Sequence, residues 1–175
     1  MDFSQFIRTI PDYPKPGILF RDITTLINDP IGLSASIDAL SAYFRGANID
    51  VVAGIEARGF IIGGAIAQTL ATGFVPIRKQ GKLPWKTIGE DYQLEYGDDR
   101  LEIHEDAIKP GARVLLIDDL IATGGSAIAA AKLIERAKGT VVGAGFIVDL
   151  PDLGGMEKLA KINIPVHALC AFDGE

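Results

Sequence analysis

Apolar positions along the chain fall into short continuous runs separated by stretches of helical spacing. Ile49–Ile55 (IDVVAGI), Phe74–Ile77, Val114–Ile117, Val141–Val148 and Val166–Leu169 are such runs. Each reads as a strand buried on both faces, the signature of a parallel sheet. Between them the spacing changes to that of helices. Asp29 followed by Pro30 forms an N-cap with proline at the first helical position, and Leu33, Ile37, Leu40 and Phe44 then share one face, with Gly46 as a stop. Phe60 to Ala71 and Ala127 to Ala137 predict two further helices. Gly63 and Gly64 inside the first of these cost about 1 kcal/mol each against alanine, so close packing is expected to require both. Strands alternating with helices predict an α/β fold with an open, mostly parallel five-stranded sheet flanked by helices. No repeat or domain boundary interrupts it, so residues 1–175 form a single domain.

Two segments break the alternation. Near the start, Phe3, Phe6, Ile7 and Ile10 predict a short helix over residues 2–10. Pro11, Pro14, Pro16 and Gly17 then impose an extended, turned backbone, and Ile18–Asp22 follows as a short strand or ordered loop. The second segment, Arg78 to Leu101, places Arg78, Lys79, Lys82 and Lys86 close together without an intervening acid, and Gly81, Pro84, Gly89 and Gly97 exclude regular helix. By itself it reads as a solvated hairpin. As a long insertion following a strand of the sheet, it reads as a lid or binding loop.

Composition narrows the partners. The chain is 48% hydrophobic and 23% charged with a formal net charge of −6, which argues against generic binding to nucleic acid or anionic membranes. A single cysteine, Cys170, excludes an intramolecular disulfide and fits a reducing cytoplasm. The N-terminal residues carry no signal-like apolar run, and no stretch approaches the ~18 apolar residues of a spanning helix. His104 and His167 stand far apart in sequence, and no Cys/His cluster offers a zinc site.

The chemistry concentrates in Arg113–Ser126, RVLLIDDLIATGGS. A buried strand runs into Asp118 and Asp119, and Thr123-Gly124-Gly125-Ser126 opens a helix. Amide groups at a helix start form a phosphate site, glycines let the backbone approach phosphate oxygens, and the two hydroxyls add donors. Aspartates would repel phosphate but suit a ribose diol or a hydrated Mg²⁺. The predicted ligand is a phosphorylated ribose. A Walker A loop is excluded because no lysine lies between Arg113 and Lys132, and a dinucleotide fingerprint because only the adjacent glycine pair is present. A receiver domain would carry its acidic pair near the first strand, whereas this pair follows the third.

The run LLIDDLIATGGS resembles the phosphoribosyl-pyrophosphate signature of type I phosphoribosyltransferases. IPDYPKPGILFRDIT, VVAGIEARGFIIGGAIA, RKQGKLPWKT and YQLEYGDDRLEIHEDAI extend the resemblance, over nearly the whole chain, to the adenine phosphoribosyltransferases. The resemblance implies the type I phosphoribosyltransferase fold, with a small N-terminal hood (about residues 1–30) and a flexible lid (about residues 78–101). It implies that adenine and phosphoribosyl pyrophosphate give AMP and pyrophosphate with Mg²⁺, in a cytoplasmic homodimer. It also assigns roles. Ala122, Thr123, Gly124, Gly125 and Ser126 hold the 5′-phosphate, and Asp118 and Asp119 face the ribose hydroxyls. Arg58, Arg78, Lys79 and Lys82 meet pyrophosphate, with Arg58 also catalytic. Leu19, Phe20 and Arg21 line the adenine pocket, Leu120 covers its other face, and Glu95 handles the proton on adenine. No dedicated metal site is implied, since Mg²⁺ arrives with the substrate near Asp118 and Asp119.

Ser126 stands where the family more often has threonine, and Ala57 where it often has serine; backbone contacts survive both changes. The family tends to strain the loop after the first strand, so a cis peptide is expected between Glu56 and Ala57. The competing readings are a phosphoribosyltransferase for xanthine, guanine or hypoxanthine, and a regulator that binds phosphoribosyl pyrophosphate without turnover. Phe20-Arg21 and Leu94–Gly97 stand against the first. Arg58, Lys82 and Glu95 stand against the second.

Overall fold

The computed structural model describes residues 1–94 and 97–174. The chain begins with a 3-10 turn, Phe3–Phe6, capped by the Asp2 carboxylate, and not with the expected helix over 2–10. Residues 8–11 instead form strand β1 (Arg8–Pro11), which pairs antiparallel with β2 (Leu19–Asp22), Ile10 opposite Phe20. Thr9 and Ile10 are β-branched and Pro11 lacks a donor N–H, so extended pairing suits them better than a helical turn. The Tyr13–Pro14 bond in the connecting loop is cis.

A short helix α1 (Thr24–Asn28) leads into α2 (Pro30–Phe44). The predicted cap is in place: Asp29 Oδ1 accepts from Ile31 N at 2.9 Å and Gly32 N at 2.8 Å. Strand β3 (Val51–Ile55), helix α3 (Arg58–Thr69) and strand β4 (Gly73–Lys79) form the first crossover. Gly63 behaves as expected, since a Cβ there would lie 2.8 Å from the Phe74 ring. Gly64 does not, because nothing lies within 4 Å of the same position.

The stretch expected as a lid is a regular hairpin, β5 (Thr87–Leu94) and β6 (Gly97–His104). It extends the sheet: β6 pairs antiparallel with β4, and β5 with β6. The rest follows as β7 (Arg113–Ile121), α4 (Gly125–Arg136), β8 (Thr140–Asp149), α5 (Gly155–Lys161) and β9 (Val166–Ala171). The sheet therefore has seven strands in the order β5-β6-β4-β3-β7-β8-β9. Its five consecutive members β4, β3, β7, β8 and β9 are the predicted parallel strands.

Both faces of the sheet are covered. Leu40 and Phe44 of α2 and Ile62 and Ile66 of α3 pack on one side with Leu115 and Ile117 of β7. Ala130, Leu133 and Ile134 of α4 pack on the other with Leu116. Alternate β7 residues thus serve opposite cores, which is why its apolar run is unbroken. The chain order reverses between β3 and β7, since β4 lies outside β3 and β8 outside β7. In an open α/β sheet that reversal leaves a crevice at the carboxyl ends of the two strands.

Candidate active site at the strand reversal

The loop after β3 and the end of β7 meet in that crevice, and the N-terminal hairpin closes over it. The resulting cavity of about 370 Å³ is lined by Leu19, Phe20 and Arg21 from β2, by Glu56 and Arg58, and by the whole run Asp118–Ser126. Lys79, Tyr92 and Gln93 contribute from β4 and β5, and Leu150 and Leu153 from the segment after β8. Segments about a hundred residues apart in the chain thus share one wall.

Asp118 and Asp119 are 8% and 6% exposed. Asp119 N–H donates to Asp118 Oδ1 at 2.9 Å, and Arg58 Nε donates to Asp119 Oδ2 at 2.5 Å. Burial, then the Asp119 charge beside it, pushes the Asp118 carboxyl well above the ordinary range, against a weaker pull from Arg58. Burial of Arg58 works against its charge, but the Asp119 carboxylate outweighs that and holds the guanidinium above its usual value. The Glu56–Ala57 peptide just before it is cis, as expected from the resemblance.

The phosphate-type loop is built as its sequence implies. Gly124 takes φ +81°, which an L side chain rarely adopts, and α4 starts at Gly125 with its first amide groups unused by the helix. Two supports lay outside any motif. Gly155, the first residue of α5, lies so close behind the loop that a Cβ there would sit 2.4 Å from Ala122 O and 2.9 Å from Gly124 N. Lys158 Nζ donates to Thr123 O at 2.8 Å. The only sequence signal for them is the Gly154-Gly155 pair, which reads as an ordinary turn.

The cations divide. Arg58 and Lys79 line the cleft, whereas Arg78 and Lys82 do not. Arg78 spans Glu56 with Nε to Oε2 at 3.1 Å and Nη2 to Oε1 at 3.2 Å, and donates from Nη1 to Lys82 O at 3.0 Å. Its guanidinium holds the Glu56 carboxyl below the usual range. Arg78 therefore braces the loop that carries Arg58.

Phe20 of the hood and Leu120 of β7 line the same cavity. The Arg21 side chain turns toward the C-terminal segment, its guanidinium 4.4 Å over the Phe172 ring, with Nη1 donating to Thr9 Oγ1 at 2.7 Å and Nη2 to Asp173 O at 3.3 Å. Glu95 lies outside the described residues. Among the described residues no group of three or more His, Cys, Asp or Glu side chains could hold a metal ion.

A phosphoribosyl transferase domain matches residues 23–163. An adenine phosphoribosyltransferase of Parvibaculum lavamentivorans is 63% identical, with 99% of each chain covered. The crystal structure of the adenine phosphoribosyltransferase of Rhodothermus marinus superposes with a TM-score of 0.91 at 51% identity, covering 97% of this chain and 96% of that one. The adenine phosphoribosyltransferase of Trypanosoma brucei, solved in complex with AMP, pyrophosphate and ribose-5-phosphate, gives 0.89 at 25% identity, covering 97% and 77%.

Proposed function

The chain belongs to the phosphoribosyltransferase family, among its adenine phosphoribosyltransferases, and on that premise we propose that it joins adenine to the ribosyl group of phosphoribosyl pyrophosphate, releasing AMP and pyrophosphate. The observation that carries this reading is the single cleft in which an anion-binding helix start, two buried aspartates, two cations and an aromatic hood strand converge. A free phosphate site would need only the first of these.

Each group has a task in that reaction. The amides and hydroxyls of Thr123–Ser126 bind the 5′-phosphate at the start of α4. Asp118 and Asp119 accept from the ribose hydroxyls, with Arg58 fixing Asp119. Phe20 and Leu120 enclose the adenine ring, and Arg21, whose side chain is committed to the tail, offers its backbone to the base edge. As the ribosyl C1–O bond breaks, positive charge grows on the sugar and negative charge on the leaving pyrophosphate. Arg58 and Lys79 stabilise the latter. The hard oxygen donors of Asp118 and Asp119 suit a hydrated Mg²⁺ that arrives with the substrate's phosphates, and it would supply further neutralisation of the leaving group. Glu95 takes the proton lost by adenine.

The family resemblance also supports a homodimer, and Ile61 on α3, 49% exposed, is an apolar residue that a second copy would cover. The family resemblance likewise supports a cytoplasmic enzyme; among the described residues no helix is long and apolar enough to cross a membrane. The test is AMP formation from adenine and phosphoribosyl pyrophosphate with and without Mg²⁺, with guanine and hypoxanthine as competitors. No pyrophosphate release on adding adenine would overturn the reading, and faster turnover of guanine would overturn its base. Light scattering of the purified protein reads the oligomeric state.

A further inference from the structure

Lys79 ends β4 where the strand reaches the cleft, and its ammonium has two claimants. One is the cleft, whose wall it forms. The other is the hairpin: Nζ donates to Tyr92 Oη at 2.9 Å and is ion-paired with Asp99 Oδ2, and Tyr92 Oη donates to the same Asp99 oxygen at 3.0 Å. Strand register brings the three together. Lys79 pairs with Leu101 of β6, so Asp99 lies two residues along on the same face, and Tyr92 of β5 stands directly opposite Asp99. Burial disfavours the Lys79 charge, but Asp99 and Tyr92 outweigh that and hold the ammonium above its usual range.

Tyr92 lines the cleft and Asp99 does not. A cation whose own anion is already in place binds a second anion at a discount, because the first contact must be given up. The side chains of Lys79 and Asp99 are 40% and 27% exposed, so water is at hand to solvate Asp99 once it is released. A pair of this exposure is weak enough to exchange.

We propose that Asp99 is a positioning residue that acts as a placeholder for pyrophosphate: it holds Lys79 extended at the wall of the empty cleft and yields it to the incoming diphosphate group. This rests on the assignment of the cleft to phosphoribosyl pyrophosphate made above. The placeholder organises Lys79 before binding and takes it back afterwards, so it weakens product pyrophosphate and shortens its stay.

Calorimetric titration of the purified full chain with magnesium pyrophosphate tests this as a double-mutant cycle. Asp99→Asn should tighten binding by roughly twofold to tenfold. Lys79→Met should weaken it, and in that background Asp99→Asn should no longer tighten it. Asp99→Glu, which keeps the charge, should stay near wild type. Unchanged or weaker binding in Asp99→Asn overturns the proposal, and so does tightening of equal size with and without Lys79, since Asp99 would then act as a general charge. Equal shifts in Asp99→Asn and Asp99→Glu would overturn it too, as an effect of hairpin distortion. AMP formation by the wild-type chain reports separately on the transferase reading.

Discussion

Asp118 is a carboxylate where the fold disfavours charge, and replacing it should make the protein more stable and less active. It sits 8% exposed at the end of β7, with Asp119 beside it and its ordinary pKa range exceeded because of burial first and that neighbour second. Asp118→Asn keeps the volume and an oxygen able to accept from Asp119 N–H, which now lies at 2.9 Å. The charge is lost, and the second oxygen becomes an NH2 donor at the cavity wall. Burying a carboxylate costs several kcal/mol, and Arg58, which pairs with Asp119 and not with Asp118, offsets part of that. A net gain of about 1–3 kcal/mol at pH 7 corresponds to roughly 2–10 °C in Tm for a chain of this size.

The sign of the pH dependence follows from the direction of the shift. A carboxyl whose folded-state pKa is raised contributes most below its unfolded value of 3.8, and loses that contribution as pH rises through the folded value. Asparagine has nothing to lose, so the Tm advantage of the variant should open as pH rises from about 4 to about 7.5. Thermal unfolding of both proteins across that range measures the gap. A variant less stable at neutral pH, or a gap that widens on acidification, would refute the electrostatic argument. Activity reports on the ribose role: loss of a charge-assisted hydrogen bond worth about 1.5–3 kcal/mol should cut kcat/KM by roughly 10- to 100-fold. Full activity in a stabilised variant would remove Asp118 from ribose binding and leave the stability argument standing.

Gly155→Ala would put a methyl 2.4 Å from Ala122 O, a backbone atom, and so must move the phosphate loop or α5. It should cost about 1–3 kcal/mol and raise KM for phosphoribosyl pyrophosphate about tenfold, whereas Gly154→Ala meets nothing within 4 Å and pays only for its φ of +69°; equal KM values for the two variants would contradict this. Arg8, then Thr24, holds the Asp22 carboxyl down to about 2, so the pair's contribution is present above 3.8 and is lost as pH falls through about 2. With Arg8 57% exposed, Arg8→Ala should cost no more than about 1 kcal/mol at pH 7. That cost should shrink in urea unfolding at about pH 2.5, and an equal cost at both pH values would be inconsistent with the linkage. Phe172→Ala removes the ring under the Arg21 guanidinium, 4.4 Å away, and loosens β2. KM for adenine should rise about threefold to tenfold with KM for phosphoribosyl pyrophosphate little changed, and a parallel rise in both would mean a general loss of structure.

What could be read from the chain beforehand divides along physical lines. The central strands β3, β7 and β8 are legible because both their faces are buried, so runs such as Val114–Ile117 are uniformly apolar; β4 and β9 are more open but keep short apolar runs. The cap of α2 was legible because Asp29 and Pro30 act within one turn. The hairpin strands are not, since TIGEDYQL forms the sheet edge and GDDRLEIH lies next to it, their alternation is masked by charge, and in β6 Leu101 and Ile103 alone supply buried apolar side chains. The resemblance assigns Arg78 to pyrophosphate, but the sequence does not show its partner, which is Glu56, 22 residues upstream. Gly155 and Lys158 were invisible because they support the phosphate loop from behind.

That last distinction explains how a chain of net charge −6 can hold a polyanion. Arg58, Arg78 and Lys79 are each already paired, with Asp119, Glu56 and Asp99. The cleft is therefore close to locally neutral when empty, and its cations stand in place without repelling one another. The three pairs differ in what a ligand does to them. Glu56 and Arg78 brace a loop, and Arg78 does not line the cavity, so that pair persists. Asp119 lines the cavity beside Arg58, so on the proposed reading both stay in the site and bind neighbouring parts of one substrate. Asp99 is the one partner of the three outside the cavity lining, and no proposed ligand contact keeps it there. Exchange of anions is thus confined to Lys79, while Arg58 keeps its geometry through the reaction. Substitutions at Asp119 should accordingly disturb catalysis, and substitutions at Asp99 the residence of pyrophosphate.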